Sequence, residues 1–249
     1  MTSIPASAMT MCFMICLACG LAQAAPPTTK PATKPAATVD EKTLSRESRI
    51  TLKKLEFAVK DLTPQQRQKA LPIIAEYGPL YEALEAKHRA EHEAIISNAR
   101  NTGTTIDMKA DNVRMAVRDR ESNRLEAKYF DRIGAEALTP AQRIKWDAYR
   151  LQFAATFQLS FAGMDEDHLK KLEPLAVQVA TQLKPAPGED SYKLLERRLR
   201  ELQDRAVKTL MNEEQRKKFE TMRTGGDELG RQMDEFEARE AAATTQPAK

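Results

Sequence analysis

The sequence predicts an all-α protein of long antiparallel helices and helical hairpins, laid out as a thin cradle-like or coiled-coil-like layer with two related units in tandem. Three observations predict it. Ala, Leu, Glu, Lys, Arg and Gln dominate, and no stretch alternates apolar and polar residues as a half-buried strand does. Aromatic residues make up 6% of the chain and charged residues 30%, so the apolar stripes are narrow seams between charged faces. One short phrase recurs, as Leu62-Thr63-Pro64-Gln65-Gln66-Arg67, Leu138-Thr139-Pro140-Ala141-Gln142-Arg143 and Met211-Asn212-Glu213-Glu214-Gln215-Arg216.

Each phrase is a helix start. Thr or Asn supplies a side-chain oxygen to an orphan backbone N–H, and Gln three residues later reaches back to the N–H of the cap. Pro or Glu at the first helical position suits a missing donor or the helix dipole. A fourth, degenerate start is Met164-Asp165-Glu166-Asp167-His168, with Asp165 as cap. Pro72 and Pro174 fall at the same offset from Thr63 and Asp165. Gln142 and Gln215 are each followed, four residues on, by an aromatic, Trp146 and Phe219. These matches predict a first unit over residues 45–160 and a shorter, degenerate one over 161–240.

The elements follow in order. A first helix is expected over about 45–60, with Leu52, Leu55, Val59 and Leu62 on one side. A second opens at Thr63, is interrupted at Gly78-Pro79 because Pro cannot donate and crowds the preceding turn, and resumes through Tyr81, Leu84 and Ile95. After a loop at 101–105, a long helix runs to about 138. In the second unit Leu172, Leu175, Val179 and Leu183 form one stripe, residues 184–188 a turn, and Leu195, Leu199, Leu202, Ala206 and Leu210 another stripe. In the last helix Phe219, Met222, Gly226, Leu229, Met233 and Phe236 step by three and four, a coiled-coil seam. Gly225-Gly226 either breaks this helix or, with Gly226 on the seam, lets a partner backbone approach closely, and an intact but bendable helix is the expectation.

Outside the helices, residues 9–22 are apolar or small and end at Ala22-Gln23-Ala24, the pattern of a secretory signal peptide over 1–24. All three cysteines (Cys12, Cys16 and Cys19) lie within it, so cleavage leaves no thiol; an alternative processing route would acylate Cys19. Residues 25–44, rich in Pro, Thr, Lys and Ala, read as a disordered tether, and 241–249 as a disordered tail. The 39 basic and 36 acidic residues are intermixed, with no basic stripe interleaved by aromatics to suit nucleic acid. No transmembrane segment is expected after leader cleavage.

The paired Leu-Thr-x-x-Gln phrases resemble the LTXXQ-motif periplasmic proteins, the Spy/CpxP group. Residues 62–150 are similar to one whole member; the second unit departs from the pattern, since its closing phrase begins Met211-Asn212. The resemblance implies an exported, ATP-independent chaperone or envelope-stress accessory protein. Its antiparallel helices would form a cradle that binds unfolded or partly folded proteins. The family cradle is built by two chains, so either a homodimer or an intrachain pseudo-dimer is implied.

Candidate residues sort into three groups. Leu62, Thr63, Gln66, Leu138, Thr139, Gln142, Asn212 and Gln215 are the motif and capping positions, and Arg67, Arg143, Lys145 and Arg216 are the basic residues attached to them, the candidates for client binding. His88-Arg89-Ala90-Glu91-His92 places two imidazoles one helical turn apart, so His88 and His92 are the candidate metal ligands. No supporting domain or third ligand for an inverted zinc-protease site accompanies them, and no phosphate loop or Ser-His-Asp context occurs. The expectation is therefore a non-enzyme without cofactors. The alternatives are a periplasmic metal-binding sensor or buffer, or a passive structural coiled-coil protein of the envelope.

Overall fold

The computed structural model describes residues 39–245, and the side chains of 39–242; the leader and most of the tether lie outside the described residues. Among the described residues there is no strand. The helices are α1 (Arg46–Ala58), α2 (Pro64–Thr102), α3 (Met108–Glu136), α4 (Pro140–Phe161), α5 (Glu166–Lys170), α6 (Leu172–Gln182), α7 (Ser191–Leu210) and α8 (Glu213–Thr245). The all-α class is as the sequence predicts.

Two buried apolar clusters lie along this helical array. The first gathers Leu52, Leu55, Ile74, Tyr77, Phe130, Ile133 and Trp146 from α1 to the N-terminal half of α4. The second gathers Leu151, Ala155, Leu159, Leu172, Val179, Leu202 and Phe219 from the rest of α4 to the start of α8. The change from one to the other falls inside α4, between Trp146 and Ala148, so α4 is a wall of both cores.

The ends differ from the expected tether and tail. Asp40 caps a short 3-10 turn over Glu41–Thr43, Glu41 pairs with Arg67, and Leu44 is buried in the first core, so order begins before residue 45. At the other end α8 continues to Thr245, because Ala241, Ala242 and Ala243 propagate a helix well.

The expected break at Gly78-Pro79 is also absent: α2 is one helix of 39 residues with Pro72 and Pro79 inside it. Tertiary contact supplies what local rules do not. Ser48 Oγ of α1 donates to the Ile74 carbonyl at 2.8 Å, next to the Ala75 carbonyl that Pro79 leaves without its helical donor, so α1 braces this turn from outside. Gly78 lets α1 come this close, since a Cβ there would meet Ser48 Oγ and lie 2.7 Å from the Ser48 backbone nitrogen. The helix instead ends at Gly103 in the left-handed conformation (φ 67°), a glycine C-cap.

From α2 the chain returns antiparallel as α3. Rungs across the pair include Glu76 with Tyr129 and Arg132, Glu85 with Ser122, and Glu91 with Arg118. α8 is intact through Gly225-Gly226, as expected, but only parts of its seam are covered: Phe219 and Met233 are buried, whereas Met222 is 38% exposed. α7 and α8 each pack on α3.

Candidate functional site

The repeated phrases are built as reciprocal capping boxes. Thr63 Oγ1 accepts from Gln66 N while Gln66 Oε1 accepts from Thr63 N, and Thr139 with Gln142 does the same. Asn212 and Gln215 form a third box at 2.9 and 3.0 Å, and Asp165 caps α5 through His168 N.

These boxes also meet. Gln66 and Gln142, 76 residues apart, exchange side-chain hydrogen bonds at 2.5 and 3.2 Å, and Gln142 Nε2 donates to the Asp61 carbonyl at 3.1 Å. Asp61 stands two residues before the cap Thr63. In the later half Gln215 Nε2 donates to the Gly163 carbonyl at 2.6 Å, and Gly163 stands two residues before the cap Asp165. Burial keeps the same register: Ala70, Ile74 and Tyr77 are fully buried after Thr63, as are Leu172, Ala176 and Val179 at the same offsets after Asp165. Leu62 and Leu138 are half-buried against the first core.

Gln142 is only 5% exposed and serves three partners, Thr139, Asp61 and Gln66, so removing it breaks three hydrogen bonds at once. Gln142→Ala is expected to cost about 2–3 kcal/mol. Thr139→Ala, which removes one cap, is expected to cost about 1 kcal/mol. Urea denaturation of the two variants checks the difference.

The four basic residues next to these phrases are engaged within the fold. Arg67 holds Glu41 and Glu56, and that guanidinium keeps the Glu41 carboxyl below its usual range. Arg143 Nη2 reaches Asp131 at 2.5 Å. Lys145 reaches Asp61 at 3.1 Å and lowers its pKa. Arg216 donates to the carbonyls of Val207 and Lys208 at the end of α7. The imidazoles of the H-x-x-E-H run part company: His88 Nε2 faces Glu121 at 3.0 Å, while His92 Nδ1 lies 3.8 Å from Asp111. Among the described residues no group of three or more His, Cys, Asp or Glu is placed to hold a metal.

A feature that motif reading passed over lies on α4. Tyr149, Phe153, Phe157 and Phe161 follow one another at intervals of four, which puts them on one side of the helix along roughly 18 Å. Phe153, Phe157 and Phe161 are 64%, 68% and 63% exposed, while Leu151, Ala155 and Leu159 on the opposite side are fully buried. Phe57 of α1, 68% exposed, joins the row against Tyr149, with ring centroids 5.7 Å apart. Tyr149 stacks between buried Trp146 and exposed Phe153 at 6.1 and 6.4 Å, and Phe157 meets Phe161 edge-on at 4.9 Å. Single exposed apolar residues are ordinary; a contiguous row is not. From residue 148 to 163 the sole charged side chain is Arg150, which is turned inward. Lys54 Nζ stands 5.9 Å from the Phe153 ring.

Concavities among the described residues lie elsewhere. An open groove of about 620 Å³ runs between α7 and α8, lined by Leu199, Phe219, Met222 and Gly226 and spanned by the pairs Arg200–Asp227 and Arg223–Asp204. A narrow crevice between α3, α4 and α7 is lined by Asp131, Asp147, Arg150, Ser191 and Arg198, where burial pulls the pKa of Arg150 below the usual arginine value.

No helix among the described residues is long and apolar enough to cross a membrane. Comparison with family models, with curated proteins and with solved structures finds no match to this chain.

Proposed function

We propose that the protein is an exported, non-enzymatic chaperone of the envelope that holds unfolded or partly folded chains without nucleotide. The observation that carries this reading is the exposed aromatic row of α4. It is long enough for several side chains of an extended or helical segment, and its apolar area is partly exposed before any partner arrives. Rings carry large contact area at small conformational cost, so capture is adaptable and release is fast. The client surface is therefore Phe57, Tyr149, Phe153, Phe157 and Phe161. The basic residues beside the capping phrases keep the helix ends in place.

The paired capping boxes support the kinship with the LTXXQ-motif group that the sequence suggests. The repeated glutamine-to-carbonyl register supports the tandem reading, in which one chain holds two units sharing α4. Export to the periplasm belongs to the same reading and rests on the leader pattern.

The experiment is suppression of aggregation of an unrelated, thermally unfolded protein, without ATP, at near-stoichiometric ratios. The parent protein is expected to suppress it. A triple variant, Phe153→Gln with Phe157→Gln and Phe161→Gln, is expected to lose most of that activity while its stability changes by less than about 1 kcal/mol, since the rings are exposed and Gln is a good helix former. A triple variant as active as the parent, or an inactive parent, overturns the reading.

A further inference from the structure

We propose that the face of α3 under the C-terminal arm of α8 is a docking site for an acidic amphipathic helix of a partner, and that the arm, hinged at Gly225-Gly226, is its built-in occupant. The two ends of α8 are anchored separately. Its first turns are fixed where Phe219 enters the second core and Gln215 Nε2 reaches the Gly163 carbonyl. Its later part lies on α3, where Met233 is buried. Between these anchors, over residues 220–228, every residue except Arg223 is exposed. An added Cβ at Gly225 or Gly226 would meet nothing within 4 Å, so packing requires neither glycine. The pair therefore weakens the helix where nothing supports it. The solvent-accessible pairs Arg200–Asp227 and Arg223–Asp204 restrain a bend there only weakly.

The arm shows what the α3 face accepts. Leu229 and Phe236 line clefts shared with Met115, Ala116 and Val113 of α3, and Met233 lies between them in the α8 sequence. Beside them Arg120, 12% exposed, donates to Asp234 at 2.6 Å and to Glu237 at 3.2 Å, and Arg124 donates to Glu237 at 3.1 Å. The matching guest is a helix with apolar residues at i, i+4 and i+7 and acids at i+5 and i+8. The arm itself fits loosely. Open clefts of about 400 and 260 Å³ remain between it and α3, where dispersion contacts are forfeited. A partner helix whose larger side chains fill those clefts displaces the arm. This site is distinct from the aromatic row of α4, and its test is independent of client capture.

The probe is a fluorescent peptide of residues 228–245, standing in for the partner, added to the whole protein and followed by anisotropy. Asp234→Ala with Glu237→Ala in the protein loosens the arm and leaves α3 unchanged. That variant is expected to bind the peptide roughly tenfold more tightly than the parent does. Adding Arg124→Glu to it, or placing Asp234→Lys and Glu237→Lys in the peptide, is expected to remove the gain. Adding Gly225→Ala and Gly226→Ala, which stiffen the hinge and touch neither face, is expected to weaken peptide binding several-fold. Equal binding by parent and loosened variant, or no binding to either, overturns the docking site. Binding indifferent to the two alanines overturns the hinge.

Discussion

Arg198→Ala is expected to lower the stability of the protein by about 3–5 kcal/mol, the cost of removing one partner from a buried, hydrogen-bonded ion pair. Arg198 is 8% exposed and joins three elements: it donates to Asp147 of α4 and to the carbonyls of Leu183 and Ala180 at the end of α6. Alanine leaves Asp147, 6% exposed, with Arg150 at 3.7 Å as its nearest cation. Urea denaturation with an unchanged m-value is the measurement; a loss below about 1 kcal/mol would show that water replaces the guanidinium freely. Making the pocket apolar with Arg198→Met and Asp147→Leu together is expected to recover only part of the loss. That double change removes the acid nearest to Arg150.

Trp146→Ala is expected to cost about 3–5 kcal/mol through the cavity it opens. Trp146 is fully buried, its Nε1 donates to the Phe130 carbonyl at 3.1 Å, and its ring lies 5.1 Å from Phe130. It also roots the aromatic row through Tyr149, so the substitution should loosen Tyr149 and Phe153. Trp146→Phe, which keeps most of the volume and loses the hydrogen bond, is expected to cost about 1–2 kcal/mol. Chemical denaturation ranks the two; equal losses would place the whole effect in the N–H bond rather than in the ring volume.

What was legible in the sequence follows the range of the physics. The capping boxes at Thr63, Thr139 and Asn212 are closed within four residues, so the phrase itself announces them. The break expected at Pro79 is a sound local inference overruled by tertiary contact, through the bond of the Ser48 hydroxyl to the Ile74 carbonyl, 26 residues along the chain, and the missing side chain of Gly78. The pairing of Asp147 with Arg198 spans 51 residues and leaves no local pattern. The aromatic row did leave one, a ring at every fourth residue from 149 to 161. Core and surface stripes share that spacing, and only the burial of Leu151, Ala155 and Leu159 shows which side faces out. Arg67, Arg143, Lys145 and Arg216 illustrate the converse. Their prominence beside a repeated phrase reflects ion pairs and a helix end within the fold.

The helix that walls both cores sets an order of assembly. Synthesis from the N-terminus supplies everything the first core needs once Trp146 has emerged. At that moment Leu151, Ala155 and Leu159 have nothing to lie against, and they wait until α6, α7 and finally Phe219 are made. During that interval the C-terminal half of α4 is bare on both sides, its future core and its row of phenylalanines together. The nascent chain is then as adhesive as the clients proposed for it. A premature stop between residues 161 and 219 would lock it in that state, with one finished core carrying a sticky arm.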